Sequence, residues 1–209
     1  MSKVGNIIFD LDGTLWDSRS QIIKVWCKVV PDIRVDARQL SNLMGKSNDE
    51  FIVSIFPNYN RVEAQKLMKK CEVEEVRYLS KFGATLYDNV IPTIKELSKS
   101  YNLFIVSNCQ DGYIESFLTY YKLSNYFLDV KCSGKTNKTK EENINSLMNE
   151  YGLKTSETCY IGDTQDDYNA SLKNNILFIW CKYGFGYIPN YEICVRNPSE
   201  IPSLIRTLL

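Results

Sequence analysis

Apolar positions fall along the chain in two alternating rhythms. Short runs at 4–9, 103–106, 127–130, 159–161 and 176–180 are almost continuously hydrophobic, and turn residues bound them. Runs of that length with little alternation predict strands buried on both faces, as in a parallel sheet covered by helices. Between them, 91–100, 112–121, 140–151 and 166–173 carry helical spacing, and Ile144, Leu147, Met148 and Tyr151 mark one amphipathic face in the third. The alternation predicts an α/β fold: a doubly wound, mainly parallel sheet with a Rossmann-like core. One interval departs from it. About ninety residues separate the first strand from the second, far more than a crossover requires. Within that interval Ile22, Ile23, Val25 and Trp26, then Phe51, Ile52 and Ile55, then Leu67, Met68, Val73, Val76 and Leu79 recur at helix spacing. We read residues 18–81 as a small helical unit inserted after the first strand, with 1–17 and 82–209 forming the core.

Composition narrows the chemistry. The chain has no histidine, so a Ser-His-Asp triad, a Cys-His pair and a histidine-bound zinc are all excluded. Acid–base work near neutral pH must come from carboxylates, lysine, cysteine or tyrosine. Basic and acidic residues balance at 25 each, which argues against a broad surface for nucleic acid. Seven scattered cysteines, with no C-x-x-C pair, read as reduced thiols rather than a disulfide framework or a thiolate zinc site. The stretch from Met1 to Asp10 reaches a charged residue too early for a secretory signal, and no apolar run approaches the roughly 20 residues of a membrane span. The expectation is a cytoplasmic protein without membrane or nucleic-acid partners.

The first strand runs into Asp10-Leu11-Asp12-Gly13-Thr14-Leu15. Ligands of open α/β sheets bind beyond the carboxyl ends of strands, so Asp10 and Asp12 sit where chemistry would be done. Gly13 permits a tight turn directly after them, although Asp and Gly are also ordinary turn residues. A second acidic cluster, Gly162-Asp163-Thr164-Gln165-Asp166-Asp167, follows the fourth strand. If both strands share one sheet, Asp10, Asp12 and Asp163 converge, and their mutual repulsion calls for a cation. Oxygen ligands without His or Cys select Mg²⁺. Asp166 and Asp167 also suit a helix N-terminus, which acidic residues complement. Ser107-Asn108 ends the second strand at a helix entrance suited to an anion, and Lys135, Lys138 and Lys140 precede or open a later helix.

In this order, Asp10 to Leu15, Ser107, a lysine, and Gly162-Asp163 with Asp167 resemble the four motifs of the haloacid dehalogenase-like superfamily, over essentially the whole chain. The insertion resembles the helical cap of its phosphoglycolate phosphatase-like branch. The resemblance implies a Mg²⁺-dependent phosphatase acting on a small phosphorylated metabolite. Asp10 would be the nucleophile that becomes an aspartyl phosphate, and Asp12 the acid that protonates the leaving oxygen and then activates water. Asp10, the backbone carbonyl of Asp12 and Asp163 would hold Mg²⁺, with Asp167 binding or supporting that shell. Ser107 and the backbone of Asn108 would bind phosphoryl oxygens, while Gly13 and Thr14 would order the first loop.

Measured back from Asp163, Lys138 fits relatives with a proline-rich third motif and Lys140 fits relatives without it. No proline is present here, which favours Lys140, with Lys135 or Asn137 able to intrude from an irregular loop. In the cap, Lys46 of Leu43-Met44-Gly45-Lys46-Ser47 is a candidate substrate contact, or a solvated lysine beside a helix cap. The aromatic loop Tyr183-Gly184-Phe185-Gly186-Tyr187 either rims the pocket or covers the core. The presence of Asp12 argues against dehalogenation, whereas a phosphomutase shares all four motifs and stays open. A non-catalytic phosphate-sensing module is disfavoured by the long insertion after Asp12. The C-x5-R spacing of Cys71 and Arg77 lies in a Glu-rich helical stretch and is set aside as a phosphatase signature.

Overall fold

The computed structural model describes residues 5–43 and 48–208. In chain order, β1 (Asn6–Phe9) leads into a two-residue strand β2 (Trp16–Asp17), then α1 (Arg19–Val29), α2 (Ala37–Leu43), α3 (Asn48–Ile55) and α4 (Arg61–Phe82). The chain returns through β3 (Thr85–Leu86), which pairs antiparallel with β2. Next come α5 (Val90–Leu97), β4 (Asn102–Ser107), α6 (Tyr113–Tyr121), β5 (Asp129–Cys132), α7 (Ser133–Thr136) and α8 (Lys140–Tyr151). The last part is β6 (Thr158–Gly162), α9 (Gln165–Lys173), β7 (Leu177–Cys181), β8 (Cys194–Val195) and α10 (Ile201–Thr207).

The main sheet is parallel, in the order β5-β4-β1-β6-β7-β8. The unbroken apolar runs are explained by its two covered faces. Ile7 and Phe9 of β1, Leu103 and Ile105 of β4, Cys159 and Ile161 of β6, and Ile179 of β7 pack into one cluster. Their neighbours Ile8, Phe104, Val106, Tyr160, Phe178 and Trp180 pack into the other, with Ile144, Leu147 and Met148 of α8. Each strand thus feeds alternate side chains to opposite faces, and both faces are dry. The chain builds outward from β1 on one side through β4 and β5, and on the other through β6, β7 and β8. That reversal beside β1 is the switch point at which doubly wound sheets open a crevice.

The predicted strands and helices are present with shifted ends. The predicted strand at 127–130 is displaced by two residues, to Asp129–Cys132. Phe127 is apolar because its ring packs edge-on against Phe9 before the strand begins. The β2–β3 pair and β8 carry too few residues for a periodicity to register. Helices α1 to α4 occupy the predicted insertion and continue the first cluster through Ile22, Trp26, Leu40, Ile52 and Leu79. The long helix α4 starts on an Asn60–Glu63 capping box. Its second half lies along α6: a side chain at Gly112 would meet Val76, and one at Gly83 would strike Tyr120.

Trp16 is the junction between the sheet and this helical layer. It is fully buried and meets Tyr113, Phe117 and Tyr121 edge-on. Trp16→Ala is expected to destabilise the fold by about 3–5 kcal/mol, read from the denaturant midpoint; a loss well under 1 kcal/mol would show that the layers are joined elsewhere.

Candidate active site

Strand register places the site. Phe9 of β1 lies opposite Ile161 of β6, and the amide of Asp10 donates to the Ile161 carbonyl at 2.8 Å. The chain therefore leaves the two strands side by side, at Asp10 and at Gly162-Asp163. The turn after Asp12 closes through Gly13, whose amide donates to the Trp16 carbonyl at 2.9 Å. Gly13 has φ +82, and a Cβ there would lie 2.2 Å from Asp163 Oδ2. Only glycine permits both the left-handed turn and this approach. The two acidic loops touch because of it.

Lys140 arrives from α8. Thr139 caps that helix in a reciprocal box with Glu142, which fixes Lys140 as its first residue. Its ammonium is buried and donates to Asp10 Oδ1 at 3.0 Å and to Asp167 Oδ1 at 2.5 Å. Lys138 shows no such contact; its amide donates to Thr136 at the surface. Asp167 is held by a second capping box, at the start of α9. Its Oδ2 accepts from the amides of Asp163 and Thr164 at 3.1 and 2.9 Å and from the Thr164 hydroxyl at 2.7 Å.

One oxygen from each of Asp10, Asp163 and Asp167 falls within 4.8 Å of the others. Burial pushes the Asp10 carboxyl up to about 7, although Lys140 opposes the shift. Burial, with Asp167 and Asp10 nearby, drives Asp163 well above the ordinary carboxylate range. Burial would raise Asp167 too, but Lys140 and the Thr164 hydrogen bonds outweigh it and hold that carboxyl low. Asp163 Oδ2 accepts from the Phe185 amide at 2.6 Å, whereas its buried Oδ1 has no hydrogen-bond partner among the described residues. An orphaned buried carboxylate oxygen among oxygen donors, facing more negative charge than one lysine offsets, fits a hard divalent cation.

Asp12 occupies different surroundings. Its carboxylate lies outside the acidic trio, so any share it has in a metal shell passes through its backbone carbonyl. Oδ1 accepts from the Ser18 hydroxyl, and the Tyr113 hydroxyl, with one proton to give, lies 3.1 Å from the same Oδ1 and 2.8 Å from the Ser18 oxygen. Burial pushes Asp12 up to about 6, with these hydroxyls opposing. Ser107 is buried at the end of β4. Asn108 is exposed, its side chain donating to Asp166 at 3.1 Å and accepting from Ser133 at 3.0 Å. Thr14 is fully buried, and its carbonyl accepts from Tyr183 at 2.8 Å. Lys46 lies outside the described residues. The Cys71 thiol is buried and pushed up to about 12, so no reactive thiolate exists there.

Several residues of the site left no legible signal in the sequence. Ser18 and Tyr113 reach Asp12 from different elements. Phe185 answers the open question about the aromatic loop, because its amide touches Asp163 directly. Over the Phe185 ring, at 4.1 Å from its centroid, lies the Arg19 guanidinium, ion-paired to Asp17 and donating to Ser41 at 2.6 Å.

A Rossmann-like parallel sheet that carries a crevice at its switch point is a ligand-binding frame, and here acidic side chains line it. The chain matches the haloacid dehalogenase-like hydrolase family model over residues 7–181 and belongs to that family. It is 26% identical to a phosphoglycolate phosphatase of Aliivibrio fischeri over 195 residues, covering 87% of this chain and 85% of that one. It is 27% identical to a 5'-nucleotidase of Pseudomonas aeruginosa over 191 residues, covering 87% and 84%. Among solved structures, one described as a predicted phosphoglycolate phosphatase from Haemophilus somnus superposes with TM-score 0.84 at 18% identity, covering 98% of this chain and 99% of that one. That likeness speaks for the fold. No helix among the described residues is long and apolar enough to cross a membrane.

Lys140→Met leaves Asp10 and Asp167 buried without their cation. The expected cost is about 3–5 kcal/mol of stability at pH 8 and less at pH 5, where the carboxyls neutralise themselves by taking up protons. Equal losses at both pH values, measured by urea unfolding, would separate the lysine from these acids.

Proposed function

We propose that the protein is a Mg²⁺-dependent phosphatase that hydrolyses a small phosphorylated metabolite through an aspartyl phosphate on Asp10. The observation that carries this reading is the buried contact of Asp10 with Lys140 beside Asp163 and Asp167. A carboxylate approaching a phosphate ester meets like charge, and the repulsion grows in a shielded crevice. Lys140 opposes it from the protein side. A divalent cation, held by Asp10, the Asp12 carbonyl and Asp163 with Asp167 in support, would neutralise charge on the phosphoryl oxygens.

The chain's own groups suffice for the proton traffic. Asp10 Oδ forms the bond to phosphorus while the bond to the leaving oxygen breaks, and Asp12 gives that oxygen its proton. Asp12, now ionised, then takes a proton from water as the water attacks the phosphoryl group and releases Asp10. Ser107 and the amide of Asn108, at the end of β4, are assigned to the phosphoryl oxygens. Residues 18–81 act as the cap over the leaving group, with Lys46 as a candidate contact. The seven free thiols suit a reducing, cytoplasmic setting.

Asp10→Asn is expected to abolish phosphate release from para-nitrophenyl phosphate while the circular dichroism spectrum is kept; retained turnover would remove Asp10 as nucleophile. Chelation should silence the wild type, and added Mg²⁺ should restore it. Asp163→Ala should raise the Mg²⁺ concentration needed, and an unchanged titration would exclude Asp163 from the metal shell. Asp12→Asn should slow alkyl phosphates by about 10²–10⁴-fold, and para-nitrophenyl phosphate by less, because nitrophenolate leaves without a proton.

A further inference from the structure

A second buried carboxylate lies outside this machinery, where the helical insertion meets the sheet. Glu75, on α4, is 3% exposed and makes no ion pair among the described residues. Its Oε1 accepts from the Trp26 indole of α1, and its Oε2 is joined to the Gln110 amide at 2.6 Å. Gln110 stands three residues after Ser107, in the loop that leaves β4 for α6. This one side chain therefore links two helices of the insertion to the loop assigned to the phosphoryl group. The adjoining residue, Val76, packs over Gly112 of the same loop.

We propose that Glu75 is a positioning residue, which through Gln110 holds the helical insertion in register with the Ser107–Asn108 loop. Its role in turnover rests on the phosphatase reading above; the link itself does not.

The chemistry of the contact makes it sensitive to protons. The ionisable groups that face Glu75 are Cys71 and Glu72 on α4, Asp12 after β1, and Tyr113 on α6, and every one is an acid. Burial, reinforced by Glu72 and Asp12 and opposed by the Trp26 and Gln110 hydrogen bonds, pushes Glu75 up to about 8. In the structure both oxygens accept, one from the Trp26 indole and the other from the Gln110 N–H₂; a protonated carboxyl would instead donate to the Gln110 amide oxygen. Turning the amide end for end exchanges these two arrangements, so the pair can form in both states. The ionised form, however, adds a negative charge to a neighbourhood that holds Asp12 and Glu72, with no cation paired to it among the described residues. Burial and the neighbouring acids thus favour the proton-bearing form of the link.

The sign of the stability effect follows. Between the ordinary glutamate value and about 8, the folded protein keeps a proton that the unfolded chain has released. Stability contributed at low pH is therefore lost as pH rises through that window, and levels off above it. Glu75→Gln keeps the shape and both hydrogen bonds but cannot ionise.

Two readouts test this. Tryptophan emission followed from pH 6 to 9.5 should show a transition near pH 8 in the wild type. The transition should vanish in Glu75→Gln and in Trp26→Phe, and this result needs no enzymatic activity. With para-nitrophenyl phosphate, whose leaving group needs no proton from Asp12, kcat/KM of the wild type should fall above the same midpoint and level off at the loss shown by Glu75→Ala. Glu75→Gln should lack that fall, whereas Glu75→Ala should lose about 10–100-fold at every pH through misplacement of the loop. An emission profile in Glu75→Gln that superposes on the wild type overturns the proposal. So does a matching emission transition whose removal leaves the kcat/KM profile unchanged. Absence of phosphate release in the wild type at every pH would instead strike the phosphatase reading, leaving the emission test intact.

Discussion

Three carboxylates packed into a dry crevice with a single ammonium group are the constraint around which the rest of the molecule is arranged. Asp10, Asp163 and Asp167 cannot all ionise against Lys140 alone without leaving uncompensated charge away from water. The molecule resolves this unequally. Asp167 takes the lysine at 2.5 Å and three donors of its own capping turn, and stays ionised. Asp10 shares the lysine at 3.0 Å, and Asp163 has only the Phe185 amide on one oxygen. The deficit is therefore concentrated on Asp10 and Asp163. Those are the two groups that parallel pairing of β1 with β6 brings to the mouth of the sheet.

The same geometry lets two aspartates two residues apart behave differently without any histidine. Asp10 faces a cation across the sheet, while Asp12, beyond the next residue, faces hydroxyls of Ser18 and Tyr113. Burial raises both carboxyls, Asp10 to about 7 against the pull of Lys140 and Asp12 to about 6 against the pull of two hydroxyls, so a bound cation is what would keep Asp10 ionised. Gly13 makes the contrast possible by turning the chain within 2.2 Å of Asp163 at its would-be Cβ. A side chain there would push the two acidic loops apart.

The fold was legible where one physical cause dominated the pattern. Strands covered on both faces read as unbroken apolar runs, and α8 read directly because its buried side chains keep to one stripe. Asp10 and Asp163 were legible from position alone, since each follows such a run. The lysine was harder: Lys138 and Lys140 are equally cationic, and only the Thr139–Glu142 capping box decides which one leads the helix inward. Long-range partners were not legible at all. Tyr113 reaches back about a hundred residues to Asp12, and no local spacing encodes that. Glu75 was hidden for the opposite reason. In the run Glu72, Glu74 and Glu75 it reads as one more solvated acid, until α4 is laid along α6.

The inner crevice and the outer wall answer to different demands. Relatives named for phosphoglycolate and for nucleotides align over most of this chain, so likeness along the chain does not by itself decide the substrate. On the reading proposed above, that choice would fall to what surrounds the leaving group, the helical insertion and the loops it leans on. The insertion is held to the sheet at two polar seams. At one, Arg19 is bound by Asp17 and Ser41, and its flat face is covered by Phe185, which itself grips Asp163. With its nitrogens so engaged, Arg19 acts as a strut between insertion and acidic loop rather than as an open anion receptor. At the other, Glu75 spans from α1 and α4 to the loop behind Ser107. One seam therefore ends on the proposed metal side of the crevice and the other on the phosphate side. A shift of the insertion cannot change the outer wall without being felt by both halves of the inner site.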